Sequence, residues 1–186
     1  MRTDDSERRS RGQGPLVPDA ARAARAMLAA ARDRREEEEM ASAEQLREAS
    51  RGALAPLRAA IEGADSDWER VPAPGDGSDE GGEESWSARQ AAEHVIGADY
   101  AFARAIGGAL GQEAVERPEM TLPSAREALA ALAESSAVLD AALAAVTDAE
   151  LEVETRFGRT VAWVAELAAT HRLEHAGQIE ALTAGA

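Results

Sequence analysis

The chain contains three histidines, His94, His171 and His175, and two of them stand in the run His171-Arg172-Leu173-Glu174-His175. An i, i+4 pair shares one face of a helix, with Cβ atoms roughly 5–6 Å apart. Imidazole nitrogens at that spacing can converge on one ion at about 2.0–2.1 Å. The face matters as much as the spacing. Val164, Leu167, Ala168, His171, His175 and Leu182 fall along one side of a helical register, so both rings are expected to point inward. His94 belongs to a second such stripe, with Ala91, Val95 and Ala98. Burying imidazoles without partners is costly, and one divalent metal ion can satisfy all three. Three neutral imidazoles suit Zn, Ni, Fe or Cu. Three protein ligands leave at least one position open, the form of a catalytic rather than a structural site. The alternative is three separate histidines, each hydrogen-bonded to a carboxylate.

The neighbouring residues extend this reading. Gln178 lies one turn after His175 on roughly the same face, where it can hydrogen-bond a ligand ring. Glu93 and Glu174 each adjoin a histidine, but a one-residue step rotates a side chain about 100° around the helix. Both are expected to face solvent or a partner helix. The same run also reads as H-x-x-E-H, an inverted zinc-protease pattern in which Glu174 would be the general base. There is no cysteine, so thiolate ligands and cysteine nucleophiles are excluded, and any thiol chemistry needs a thiol from outside.

Helices must position these rings, and helix starts are well marked. Ser42 with Gln45, Ser87 with Gln90, and Ser124 with Glu127 each have capping-box spacing. They predict helices over about 43–62, 88–109 and 125–146, and Thr160 caps a fourth over about 160–183. Gly52 and Pro56 predict a kink or split in the first. The links over 63–86, 108–123 and 147–159 are long, and Gly75 to Glu84 reads as a flexible acidic insertion. Trp68 and Trp86, near the ends of the first link, are expected to plug the end of the bundle. No segment alternates, and aromatic residues make up 3% of the chain, which argues against a sheet. The fold class is therefore all-α: a four-helix bundle with long crossover connections over residues 42–186. Residues 1–41 form an N-terminal extension, disordered and then a charged helix. Met40 directly precedes the first clean helix start, an alternative point for translation to begin.

Charge narrows the partners. The net charge is -15, and every basic residue is Arg. Residues 1–40 carry nine Arg against nine acids, so the whole excess lies in the bundle. Such a surface repels nucleic acid and anionic lipid. No apolar run reaches the ~20 residues of a membrane span. Arg8-Arg9 lacks the apolar segment of a twin-arginine signal, so the chain is read as cytoplasmic.

Three stretches carry a resemblance to a known family. Trp86-Ser87 leading to His94, Thr160-Val161-Ala162-Trp163, and His171-x-x-x-His175 followed by Gln178-Ile179 stand in the order and spacing of the DinB/YfiT-like superfamily. The likeness covers about residues 43–183. It implies a four-helix-bundle metalloprotein with His94, His171 and His175 as the metal ligands. It also implies one divalent ion (Zn, Ni or Fe), a homodimer, and a small-molecule substrate. Characterised relatives include mycothiol-dependent maleylpyruvate isomerase and thiol S-transferases. By that resemblance the metal would activate mycothiol, another small thiol or water for attack on an electrophile. The competing reading is a non-enzymatic bundle that the metal only staples, or a dimerisation module. The N-terminal extension and the acidic insertion depart from the family pattern.

Overall fold

In a computed structural model of the chain, residues 41–72 and 83–184 are described. Four helices account for most of them: α1 (Ala43–Gly63), α2 (Ala88–Ala109), α3 (Ala125–Ala144) and α4 (Val161–Ala184). No strand occurs among the described residues, only an isolated antiparallel bridge between Glu154 and Thr160. The expected N-terminal extension, save Ala41, and most of the acidic insertion lie outside the described residues.

The capping reading holds, with one change. Ser42 and Ser87 each accept from the third residue's N–H, and Gln45 and Gln90 reach back to the cap N–H. Ser124 accepts from Glu127 N–H, but its hydroxyl donates to the Glu127 carboxylate at 2.8 Å, so that box is not reciprocal. Thr160 Oγ1 accepts from Trp163 N–H at 3.2 Å at the start of α4. The expected split at Pro56 does not occur: α1 runs unbroken through it. Pro56 and Gly52 both lie on the exposed face. The carbonyl four residues back, freed by the missing N–H, belongs to Gly52, and water can satisfy it there.

The helices pack as a ring. α1 lies against α4 and α3, and α2 against α3 and α4. α1 and α2 therefore occupy opposite corners, as do α3 and α4. The links following α1 and α3 must therefore cross the bundle. Trp68 closes the core beside the first crossover, buried and donating its indole N–H to the Leu122 carbonyl at 2.7 Å.

The core has two apolar layers. One gathers Leu57, Ile61, Ile96, Leu132 and Ile179, the other Leu46, Phe102, Ile106, Leu139, Leu143 and Val164. Between them, every helix contributes one polar residue: Ser50, Asp99, Ser135 and Arg172, all buried. Arg172 donates from Nε and Nη2 to the two Asp99 oxygens at 3.1 and 2.8 Å, and from Nη1 to the Ser50 carbonyl and hydroxyl at 2.9 and 3.1 Å. Ser135 donates to Asp99 Oδ2 at 3.0 Å. Burial pushes the Asp99 carboxyl up, opposed by Arg172 and Ser135. The sequence reading missed this layer. Breaking a buried pair costs more than removing it whole, because one charge is left unpaired. Arg172→Met is expected to cost about 3–5 kcal/mol, and the double variant Asp99→Leu/Arg172→Met to recover most of it. Urea unfolding checks this; equal losses in the single and double variants would contradict it.

Candidate metal centre

α2 supplies His94 and α4 supplies His171 and His175, and the structure brings the three rings together as the sequence led one to expect. His171 Nε2 lies 3.0 Å from His94 Nε2 and 3.3 Å from His175 Nε2. Two nitrogens at about 2.0–2.1 Å from one ion stand roughly 2.9 Å apart at a right angle and roughly 3.3 Å at the tetrahedral angle. The observed separations fall on that range. The ligand-capable atoms of all three lie within 4.8 Å of one another, and no other such group occurs among the described residues.

Protons decide what the cluster can hold. His175 Nδ1 is 2.7 Å from Gln178 Oε1, and the Gln178 amide N–H donates to the Glu83 carbonyl. That second bond turns the amide oxygen toward His175, so His175 Nδ1 carries the proton and its Nε2 presents a lone pair. His171 Nδ1 is buried without a partner. With its proton on Nδ1, the tautomer that ligation through Nε2 requires, His171 would present a lone pair toward the other two rings. A proton on Nε2 instead bridges to one neighbour at a time, whereas a cation among the three takes a lone pair from each. The residues present therefore fit a divalent metal ion.

The surroundings favour the neutral form of His171 and His94. His171 is pushed down to about 4, chiefly by burial and then by His175 and His94. Burial lowers His94 as well, helped by His175 and Arg117 and opposed by Glu83. Trp86 stands over the cluster, its ring 4.8 Å from His94 and stacked 6.1 Å from His175. It walls the site, whereas the sequence reading made it a plug like Trp68. Phe102 meets His171 edge-on at 5.7 Å. The side chain of His94 remains 36% exposed, so the cluster is reachable from solvent on that side.

A family model described as the DinB superfamily matches residues 42–179. The chain belongs to the DinB superfamily. No curated protein and no solved structure matches it. In this DinB-superfamily chain the other acidic neighbours have separate tasks. Glu174 is exposed and outside the histidine group, so the general base of the H-x-x-E-H protease reading is missing from the cluster. Glu93 is part-buried and not turned to a histidine: it accepts from Leu122 N–H at 3.1 Å and pairs with Arg89. Glu83, which the sequence reading did not single out, brings Oε1 to 3.8 Å from His94 Nε2. Only its position at the end of the acidic insertion, just before Trp86, could have signalled it.

The sign of the pH effect follows from His171. Its folded value lies below the ordinary 6.5, so the metal-free fold resists protonation while the unfolded chain accepts it. This contribution to stability is fully present above about 6.5 and is lost as pH falls toward about 4. Metal-free protein is expected to melt progressively lower across that window, and His171→Phe to flatten the profile. An unchanged profile in the variant would contradict this.

Proposed function

We propose that this protein is a metal-dependent enzyme acting on a small electrophilic substrate with a low-molecular-weight thiol or water as nucleophile. The carrying observation is the convergence of three imidazole nitrogens from two helices on one half-exposed point. His94, His171 and His175 hold one divalent ion, of which Zn, Ni and Fe suit three neutral imidazoles. When bound there, the ion supplies positive charge that brings the pKa of a thiol or water near neutrality. Mycothiol is one candidate thiol, by the family resemblance alone.

The chain's own residues do the rest. Gln178 keeps the His175 proton on Nδ1, which holds the ring in the ligating tautomer. Trp86 and Phe102 fix the rings and exclude water from one side. Glu83, beside His94 and largely exposed, is positioned to accept the proton that the nucleophile gives up. The competing reading, a metal that merely staples the bundle, has less support. Both apolar layers and the buried polar layer are complete without the histidines.

Elemental analysis of untagged protein is expected to find one metal per chain, and His94→Ala to lose it. Gln178→Leu is expected to retain the metal with affinity roughly 10–100-fold weaker. Stoichiometric metal in His94→Ala would sink the assignment. Chelated wild type is expected to stay helical and to melt cooperatively. Unfolding on chelation, together with no turnover of thiols or esters, would favour the staple.

A further inference from the structure

Gly97 sits on α2 one turn beyond His94, and it is buried. A Cβ built there would fall 2.6 and 2.7 Å from Nη2 and Nη1 of Arg117, closer than real contacts allow. Arg117 Cζ is nearer than either nitrogen, so the guanidinium lies face-on against the helix, in a seat that glycine leaves open. The loop that carries Arg117 is held on both sides. Arg104 Nε donates to the Val115 carbonyl at 2.9 Å, and Leu122 is fixed through Glu93 and Trp68. Arg117 is exposed overall, but its guanidinium lies against α2 and its loop is pinned on both flanks.

Among the described residues no carboxylate lies within ion-pair distance of Arg117, as is also true of Arg58, Arg104, Arg126, Arg156 and Arg159; its seat on α2 is what sets Arg117 apart. In a chain of net charge -15, that leaves a seated cation one turn from His94, whose side chain is 36% exposed. Its field reaches the His94 ring. Arg117 also lines an open surface depression of about 670 Å³ with Pro118, Glu119, Met120 and Thr121; none of the three histidines lines it. The Glu119 carboxylate in that lining opposes a second negative charge on the ligand.

We propose that Arg117 is the anion-binding residue of this site and takes the carboxylate of a small organic monoanion beside the histidine cluster. A planar guanidinium suits a planar carboxylate, with two parallel donors. The proposal rests on the metal reading above and adds a substrate class to it. The carboxylate belongs either to the thiol or to the second ligand, and the test separates these two.

The full chain is loaded with cobalt(II), and the metal content is measured first. Mercaptopropionate and mercaptoethanol are titrated through the thiolate-to-cobalt absorption band, and propanoate through the cobalt d–d bands. Arg117→Gln is expected to keep one cobalt and the wild-type melting temperature. It is expected to bind a carboxylate probe roughly tenfold more weakly while its affinity for mercaptoethanol stays put. Loss on mercaptopropionate puts the carboxylate on the thiol; loss on propanoate alone puts it on the other ligand. Gly97→Ala is expected to reproduce the loss by unseating the guanidinium, and alanine is well tolerated in a helix. Equal affinities of wild type and Arg117→Gln for both carboxylate probes would overturn the proposal, as would an equal loss on mercaptoethanol. Wild type that binds no cobalt would overturn the metal reading and this proposal together, whereas unchanged carboxylate affinity with cobalt bound overturns this one alone.

Discussion

Three neutral imidazoles whose Nε2 atoms converge can be bridged in pairs by a proton, but only a cation accepts a lone pair from all three at once. His171 carries the constraint most sharply. Its Nε2 has a histidine nitrogen on two sides, and its Nδ1 is buried without a partner. Burial and the neighbouring rings also make protonation unfavourable, which would otherwise be the usual escape. His171 and His94 are thus arranged to stay neutral. Everything near the cluster serves that arrangement, from the Gln178 amide that fixes one tautomer to the Trp86 ring that covers two of the three rings.

The cluster needs α2 and α4 to keep their axial register, and the polar middle layer provides it. Arg172 directly follows His171, and Asp99 stands five residues after His94. Two charge-assisted hydrogen bonds between them tie the two helices at one level, where apolar contacts alone would tolerate sliding. Ser50 and Ser135 bring the other two helices to the same level. A buried ion pair adds little to stability beyond what hydrophobic residues would give, so its use here is directional. The site and the fold meet in adjacent residues of α4: His171 faces the cluster and Arg172 faces the core.

Much of this was legible in the sequence because helices announce themselves locally. Capping residues and the 3.6-residue period gave α2 its observed bounds and the other three helices theirs to within two residues. The histidine cluster was legible for the same reason, since an i, i+4 pair and an inward stripe are local patterns. Pro56 misled because its cost depends on which side of the helix it faces, and that is a tertiary fact. The polar layer escaped because each member looks ordinary alone. Yet Asp99 stands between Val95 and Phe102, and Arg172 between Ala168 and Ala176, so a charge at helical spacing within an apolar stripe was a visible signal. Glu83 and Arg117 come from links, where no periodicity says which way a side chain turns.

X-ray absorption at the edge of the bound metal tests the central claim most directly. Three nitrogen scatterers at about 2.0–2.1 Å are expected, with the outer-shell pattern of imidazole rings. A first shell of oxygens, or one with fewer than two imidazoles, would contradict it.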